Sequence, residues 1–480
     1  MEIEMVNLLK KLIKIKAEKF FLITALFFGV LNVFITPPLQ APDEDVHFLS
    51  VWRFSSFSAN PYFSENKVNF LKMHHYLFFH PHKKYTSEKF KQSLSYENQT
   101  DASSPDNGYF CRLRSRTIPY YLPAIIGMGM SKSFSSNFCF NMWSARLFNL
   151  IAYCLIVFYA IKVSPYFKWG FTLLGLMPMT LFLASSMSYD SLTIAVCYWV
   201  TAMMLKFISG NRKISFSNNW KPLCGIAFLA FLKFPFFLIA TPLLFLKKDR
   251  FKGNYNYCFK AAIFFLLLLH FGIAGSEMRL KPASGKIYDR SFGAPSVSCG
   301  ETRKYASCSE KLKILATCPA NFLNCFFNTL TSSEKILLYA ASFGGCLGWL
   351  DTLLPPLLLS AFYLILLFSP LSEIRTVNLR LGDRIIFLFT GLGIFVLLHV
   401  IFYLANLDVL AHIEGVQGRY FIPFAPLLLL PFLSGIGIKR FKKKRLSANL
   451  LFTGTVLVIQ SASIITLLQR YYFAYSWIGR

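Results

Sequence analysis

The sequence predicts an all-α protein that crosses a membrane about ten times. Of its 480 residues, 55% are hydrophobic and only 15% are charged, whereas about 25% of the residues of a soluble domain are charged. The apolar residues form runs almost free of charge, such as 20–35, 261–274 and 385–405. Each run is about as long as a helix that crosses a hydrocarbon core of roughly 30 Å. A single run of this kind could be a helix buried in a soluble protein, but so many of them indicate helices that cross a bilayer.

Clusters of basic residues predict how the chain is threaded. The net charge is +27, from 50 basic and 23 acidic residues, and the basic residues are clustered at 10–19, 212–213, 247–252 and 439–445. Cytoplasmic loops carry an excess of Lys and Arg, so these clusters and the N-terminus are predicted to be cytoplasmic. Because the clusters alternate with apolar runs, the pattern does not favour a nucleic-acid partner.

The predicted spans alternate between the two sides of the membrane. Residues 20–35 are predicted to be a retained first span, because no small-residue cleavage site follows before Pro37. The later spans are predicted at 142–163, 169–186, 192–208, 259–275, 352–368, 385–405, 421–438 and 450–468. Residues 223–246 have basic clusters on both sides and are interrupted by Lys233 and Pro235, which predicts a re-entrant hairpin. The short apolar run 118–130 is predicted to be a helix at the outer interface.

This threading leaves two long polar segments outside the cytoplasm. The predicted organisation is a basic N-terminus with the first span (1–36), a first outer loop (37–141), a bundle with the hairpin (142–275), a second outer loop (276–350) and a C-terminal bundle (351–480). Six of the 11 cysteines fall in the two outer loops: Cys111, Cys139, Cys299, Cys308, Cys318 and Cys325. An oxidising compartment permits disulfides there, and the sequence leaves their pairing open.

The most informative stretch follows the first span, where Asp43, Glu44 and Asp45 stand close to His47. Crowded carboxylates repel one another, so some should have raised pKa values unless a cation or a metal lies nearby. A carboxylate with a near-neutral pKa can take a proton from an attacking sugar or phosphate hydroxyl. A helix N-cap is an equal alternative, because acids in a first turn suit the helix dipole.

Four further charged residues stand in apolar or outer positions. Asp190 lies at the predicted outer end of the turn between two spans, where it is either a site residue or the cap of the second helix. Lys233 lies in an apolar stretch, where a lone ammonium costs at least roughly 2.5 kcal/mol, so it should face a partner, face a cavity or snorkel. Arg146 either binds a phosphate or anchors its helix. Arg419 is the clearest candidate for an anion site, because a guanidinium stays charged and binds phosphate with two hydrogen bonds.

Five motifs resemble a bacterial membrane protein family known as domain of unknown function 2142. They are PDEDVHF (42–48), PMTLF (178–182) with SYD (188–190), KFP (233–235), GWLD (348–351) and QGRYFIP (417–423). They follow in the expected order and cover nearly the whole chain. After Pro-Asp-Glu the family usually has proline and a small residue before the histidine, whereas this chain has Asp45 and Val46.

The family is similar in layout to the GT-C glycosyltransferases, which use a polyprenyl-phosphate sugar and a catalytic acid in the first outer loop. The resemblance implies that Asp43 is the catalytic base with Glu44 beside it, that Asp190 is a second acid, and that Lys233 and Arg419 hold the lipid phosphate. Further residues expected to bind substrate are His47, Arg146, Asp351 and Tyr420. The expected partners are a lipid-linked sugar donor, a glycan acceptor and membrane lipids in a bacterial inner membrane; the need for a divalent cation and the oligomeric state stay open.

The leading hypothesis is therefore a glycosyltransferase acting on the extracytoplasmic side. Asp43 would deprotonate the acceptor hydroxyl, and Arg419 and Lys233 would stabilise the departing phosphate. One alternative is a non-enzymatic transporter or flippase of lipid-linked saccharides, which should have internal repeats and binding residues near the middle of the bilayer; no clear repeat is present. Another is a polysaccharide polymerase, which product length would distinguish.

Overall fold

The computed structural model describes residues 15–55, 65–78, 80–97, 118–210, 213–215, 224–229, 235–279, 308–371, 379–405, 411–433 and 442–473. These residues are mostly helical. Their two named strands, β1 (Cys346–Leu347) and β2 (Thr352–Leu353), pair as a short antiparallel hairpin. Lys233 lies outside the described residues, so the prediction for its side chain stays a prediction.

Five of the described helices are long and apolar enough to cross a membrane. They are α1 (Ala17–Ile35), α6 (Phe138–Val163), α9 (Asp190–Ser209), α15 (Leu381–Ala405) and α17 (Lys442–Tyr471), which is apolar from Ala448 onward. Each coincides with a predicted span. A helix satisfies its own backbone hydrogen bonds and can therefore cross hydrocarbon. The prediction of an all-α, multi-pass membrane protein is confirmed.

Shorter apolar segments complete the bundle. They are the 3-10 helix Phe236–Phe245, α10 (Tyr255–Arg279), α14 (Pro356–Phe368) and a segment made of the 3-10 helix Gly418–Phe424, α16 (Ala425–Leu429) and the 3-10 helix Leu430–Phe432. The predicted span at 352–368 thus begins as a strand, and its helix starts only at Pro356. In the predicted hairpin, residues 224–229 are helical and Pro235 precedes the 3-10 helix.

The predicted span 169–186 is wrong as a continuous helix. It consists of α7 (Lys168–Gly175) and α8 (Pro178–Ala184). Pro178 occupies the first turn of α8, where its missing N–H costs nothing, but it cannot continue the preceding helix. The Leu176 carbonyl at the break accepts a hydrogen bond of 2.5 Å from Gln460 Nε2 of α17. A neighbouring helix therefore satisfies one backbone group that the break exposes.

The predicted outer loops contain helices of their own. The first loop holds α2 (Glu44–Ser55), α3 (Glu65–His75), α4 (Ser87–Leu94) and α5 (Ile118–Lys132). The second holds α11 (Cys308–Thr317), α12 (Pro319–Thr331) and α13 (Ser333–Gly344). The helix expected at 118–130 is present as α5, and its place at the interface stays a prediction.

Contacts between helix ends show which ends of the bundle lie together. Tyr472 Oη, just beyond α17, donates to the Ile35 carbonyl at the end of α1 over 2.8 Å. Arg146, near the start of α6, donates to carbonyls at the same end of α1. At the other end, Lys168 Nζ lies 4.0 Å from Glu18 Oε2. α1 and α17 therefore run in one direction and α6 in the opposite direction, as the predicted threading requires. The cytoplasmic location of the N-terminus stays a prediction.

The disulfide question is partly answered for the outer loops. Cys139, Cys318 and Cys325 are reduced and not part of a disulfide. The other three outer-loop cysteines, Cys111, Cys299 and Cys308, lie outside the described side chains, so a disulfide among them stays an open prediction.

Candidate functional site

The turn that joins α1 to α2 has an unusual backbone. Leu39 has a φ of 63° and Asp43 a φ of 58°, in the left-handed region that residues other than glycine rarely adopt. Aspartate tolerates this region better than leucine does. Such conformations persist only where the surrounding structure enforces them, and they are frequent at functional sites.

Contacts with distant elements hold this turn. Trp349 Nε1, in the β1–β2 hairpin, donates to the Leu39 carbonyl over 2.8 Å. Gln40 Nε2 donates to the His74 carbonyl over 2.9 Å, and Tyr471 Oη of α17 lies 3.5 Å from the Gln40 carbonyl. Segments of the two predicted outer loops and the last described helix therefore converge on the acidic motif.

Asp43 and Arg419 form an ion pair although they are separated by 376 positions. Arg419 Nη2 donates to Asp43 Oδ2 over 2.6 Å, and Arg419 Nε donates to Gln417 Oε1 over 2.6 Å. The Arg419 side chain is only 2% exposed, whereas that of Asp43 is 55% exposed. The site thus presents a carboxylate to solvent with a buried cation behind it, joined by a charge-assisted hydrogen bond.

Asp190 faces the other edge of the same guanidinium. Its Oδ2 lies 3.9 Å from Arg419 Nη1, and Nη1 is buried with no hydrogen-bond partner in the described part of the chain. Asp190 is the first residue of α9, where the residue before it, Tyr189, makes no side-chain cap. One arginine therefore lies between two carboxylates, and a buried N–H is left for an additional acceptor.

A glycine allows Arg419 to reach this position. Gly418 N donates to Ser342 Oγ of α13 over 2.7 Å. A Cβ on Gly418 would overlap the Tyr339 carbonyl and come within 2.5 Å of Phe343 N. The 3-10 helix that carries Arg419 can pack this closely on α13 only with glycine at 418.

Gly418→Ala should push this 3-10 helix away from α13 and move Arg419 from Asp43. Backbone overlap of this kind costs about 1–3 kcal/mol, so we expect a lower midpoint of thermal unfolding in detergent. Gly393→Ala is the matched control, because a Cβ there meets nothing within 4 Å and alanine favours a helix by about 0.5–1 kcal/mol. Equal midpoints for the two variants would contradict the proposed packing.

Glu44, next to Asp43, forms a fully buried ion pair. Its side chain and that of Arg146 are both 0% exposed. Arg146 Nε donates to Oε1 over 2.8 Å, and Arg146 Nη2 donates to Oε2 over 2.5 Å. Met187 N, between α8 and α9, also donates to Oε1 over 3.2 Å. This geometry places Glu44 behind the turn, out of contact with solvent.

Arg146 uses all five of its N–H donors inside the protein. Besides Glu44, it donates to the carbonyls of Val33, Thr36 and Pro37 over 2.8–3.0 Å. Of the two alternatives for Arg146, anchoring and phosphate binding, the contacts favour anchoring, since no donor is left for a phosphate.

His47 packs among aromatic rings beside the acids. Its Nδ1 lies 2.7 Å from Tyr121 Oη, and its ring meets that of Tyr189 edge-on at 5.0 Å. Burial lowers the pKa of His47 to about 4, although the Asp43 and Asp190 carboxylates oppose the shift. The ring is therefore neutral near pH 7, available for hydrogen bonding but not as a cation.

Asp45 points away from this cluster towards α3. Its Oδ2 lies 3.6 Å from His75 Nε2. Burial raises the pKa of Asp45 to about 6, more than a hydrogen bond from the Val46 amide lowers it, and the Asp43 carboxylate adds to the rise. Of the acidic triplet, Asp45 thus has a raised pKa, mainly because of burial rather than crowding.

This shift predicts a pH-dependent effect of Asp45→Asn. The folded-state pKa of about 6 exceeds the ordinary 3.8, so the contribution of Asp45 to stability is full below pH 4 and is lost as the pH rises through 6. The variant should therefore be more stable than the wild type at pH 8, by up to about 3 kcal/mol, and similar at pH 4. Thermal unfolding at both pH values checks this, with Glu88→Gln on the exposed face of α4 as control; an equal gain at both pH values would contradict it.

Asp351 takes part in a second buried network, apart from the contacts of Asp43. Its Oδ2 accepts hydrogen bonds from Arg470 Nε and Nη2 over 3.1 and 2.8 Å. Its Oδ1 accepts from Trp349 N and Thr352 Oγ1 over 3.2 and 2.9 Å. Asp351 thereby closes the β1–β2 turn and ties it to the end of α17.

Tyr420 borders the Asp43–Arg419 pair. Its Oη accepts a hydrogen bond of 3.4 Å from Arg419 Nη2, and the Arg419 guanidinium carbon lies 5.2 Å from its ring centre. The ring stacks on Phe402 of α15 at 5.4 Å. Five of the predicted site residues thus lie together: Asp43, His47, Asp190, Arg419 and Tyr420. Glu44 and Arg146 lie behind them, and Asp351 belongs to a neighbouring network.

Two residues of this region were missed by the sequence reasoning. Arg470 binds Asp351 and also donates to the Leu77 carbonyl over 2.7 Å; the signal that selected Arg419, a basic residue at the outer end of a span, would also have found it. Trp349 lies in the GWLD motif, but nothing local in that motif indicates that its indole binds the turn at Leu39.

A metal would have to compete with the arginine. No group of three or more His, Cys, Asp or Glu is placed to bind a metal among the residues that the structure describes. Asp43 and Asp190 both face Arg419, so a divalent cation at these oxygens would meet the guanidinium charge.

Sequence comparison identifies the family. Residues 26–428 match the family described as "Predicted membrane protein (DUF2142)". The chain belongs to the DUF2142 family. The resemblance inferred from the five motifs is thereby confirmed, and the matched segment of this DUF2142 protein contains Asp43, Asp190 and Arg419 but not Arg470. No curated protein and no solved structure matches the chain.

Proposed function

We propose that this DUF2142 protein is a membrane glycosyltransferase that moves a sugar from a polyprenyl-phosphate donor to a hydroxyl of a cell-envelope glycan or lipid, outside the cytoplasm. The observation that carries the proposal is the Asp43–Arg419 pair, in which an exposed carboxylate on strained backbone is backed by a buried guanidinium. A fixed, solvent-facing carboxylate is the group that general base catalysis requires.

Asp43 is assigned the role of base. The acceptor oxygen attacks the anomeric carbon of the donor, and its proton passes to the Asp43 carboxylate. The bond between that carbon and the phosphate oxygen breaks, and polyprenyl phosphate leaves with the electron pair. Arg419 orients the carboxylate through Oδ2, which holds the base in a productive geometry.

The leaving phosphate needs positive charge. Arg419 Nη1 makes no hydrogen bond among the described residues, but it is buried, so a phosphate oxygen reaches it only if the site opens. The adjacent Asp43 and Asp190 also offset the charge of the guanidinium. A second cation is therefore part of the proposal, and Lys233 is the candidate. In this scheme Glu44 and Arg146 position the turn and do not touch the substrate.

A transporter or flippase of lipid-linked saccharides is the second candidate. The observation that favours it is the pair of interrupted helical segments near the site: α7–α8, broken before Pro178, and Gly418–Phe432, which changes twice between 3-10 and α-helix. Discontinuous helices are frequent at the substrate sites of transporters.

Purified protein in lipid vesicles separates these functions. The vesicles would contain a polyprenyl-phosphate sugar labelled in the sugar, together with an extract of envelope glycans and lipids. A glycosyltransferase releases polyprenyl phosphate and labels an acceptor by one sugar, whereas a polymerase builds long products. A flippase moves the intact donor between leaflets without consuming it. Donor movement with no transfer to any acceptor fraction would overturn the enzyme assignment.

A further inference from the structure

The helices α12 and α13 carry apolar side chains on two faces. On α12, Phe322 and Phe326 are buried, whereas Leu323 and Phe327 are 45% and 58% exposed. On α13, Leu337 is 68% exposed. Residues 319–331 contain no charged residue at all. Large apolar side chains on successive turns of a helix are unfavourable in water and mark a contact surface.

The buried face of α12 packs beside a membrane-spanning helix. The rings of Phe322 and Tyr403 lie 5.4 Å apart, and those of Phe326 and His399 lie 5.1 Å apart. Phe326 also reaches Phe395, at 6.3 Å. At 1.5 Å per residue, Phe395 is about 15 Å inside the end of α15. Since α15 is a candidate span, these contacts place the buried face of α12 beside the last three turns of that span.

The other helix, α13, packs on the apolar helix α14. Tyr363 Oη donates to the Ala340 carbonyl over 2.5 Å, and the rings of Phe343 and Tyr363 lie 5.9 Å apart. The exposed side of α14 is also apolar, with Leu364 68% exposed. The exposed apolar side chains of α12 and α13 therefore continue the apolar surfaces of α14 and α15, which are the surfaces that lipid would cover. The rest of the exposed surface of these two helices is polar and includes Asn324, Asn328 and Glu334.

We infer that α12 and α13 lie at the extracytoplasmic leaflet and that their exposed apolar side chains contact lipid hydrocarbon chains. The inner face of α13 holds Gly418 through Ser342, so this lipid-facing wall is about one helix diameter, roughly 10 Å, from Arg419. A substrate with a hydrocarbon tail can therefore lie along the wall with its headgroup at Arg419. That last step rests on the proposed function, whereas the lipid contact does not.

Two footprinting reagents applied to the wild-type protein test this inference. The vesicles are phosphatidylethanolamine and phosphatidylglycerol with a small fraction of a lipid that carries a photoactivatable diazirine in its acyl chain. We expect adducts on Leu323, Phe327 and Leu337 at yields similar to that on Phe389, which is 69% exposed in the span α15. Hydroxyl radicals generated in the water should spare these residues but oxidise Phe90, which is 39% exposed on the polar helix α4.

Two results would overturn the inference. Oxidation of Phe327 and Leu337 at the level of Phe90 would show that the faces are in water. Protection of both residues from both reagents would show that another segment of the chain, or another protein, covers them. Neither readout depends on sugar transfer, so a failed lipid contact and a failed enzyme assignment are distinguishable.

Discussion

Asp43→Asn is expected to lower the rate of sugar transfer by about 10²- to 10⁴-fold, the usual contribution of a general base. The amide has the same shape as the carboxylate and can still accept a hydrogen bond from Arg419 through its carbonyl oxygen, but it cannot take the proton of the acceptor hydroxyl. Because the Asp43 side chain is 55% exposed, the variant should still fold. The measurement is the turnover of a labelled polyprenyl-phosphate sugar under saturating donor.

Asp45→Asn provides the matched control for this experiment. It makes the same chemical change two positions along the chain, on a side chain that faces His75 rather than Arg419. We expect its rate of transfer to stay near that of the wild type. Full activity of Asp43→Asn, or an equal loss in both variants, would rule out Asp43 as the base.

Arg146→Met is expected to have the largest effect on stability, a loss of about 3–5 kcal/mol. It leaves the Glu44 carboxylate buried without its partner and removes the donors from three carbonyls at the end of α1. Arg146→Lys should recover little, because an ammonium cannot reproduce the planar array of five N–H groups. The measurement is the midpoint of thermal unfolding, read as the fraction of monodisperse protein after heating in detergent.

The double variant Glu44→Gln with Arg146→Met isolates the electrostatic part of this effect. With both charges removed, no unpaired charge stays buried, so the double variant should be more stable than Arg146→Met alone. The free energy of unfolding of each single variant, Glu44→Gln and Arg146→Met, is also compared with that of the wild type. If both values lie within about 0.5 kcal/mol of it, a range typical of surface positions, then the pair does not anchor the turn.

The sequence predicted the uninterrupted spans well, because a charge-free apolar run of sufficient length has one stable state in hydrocarbon. The run 169–186 is equally apolar but is two helices, and hydropathy cannot distinguish these outcomes. The signal was Pro178, whose position fits either a kink inside a helix or the first turn of a new one. In the folded protein, the hydrogen bond from Gln460 of α17 to the Leu176 carbonyl stabilises the break.

At the site, the sequence identified the charged residues but not their orientations. Asp43 and Glu44 are adjacent and chemically similar, yet one is exposed and the other is fully buried. The positive φ of Asp43 sets the two side chains in different directions, and Trp349 and Tyr471, far along the chain, contact the same turn at Leu39 and Gln40. Local spacing contains no information about such contacts, so the roles of the two acids could not be separated in advance.

The wide separation of Asp43 and Arg419 has a consequence for biosynthesis. A ribosome that adds roughly 5–20 residues per second needs about 20–75 s to pass from the first of these positions to the second. During that interval Asp43 has been synthesised, but Arg419, its ion-pair partner, has not. Glu44 and Arg146, only 102 positions apart, can meet much earlier and hold the turn in shape. The order of synthesis therefore lets the Glu44–Arg146 pair form before the Asp43–Arg419 pair can.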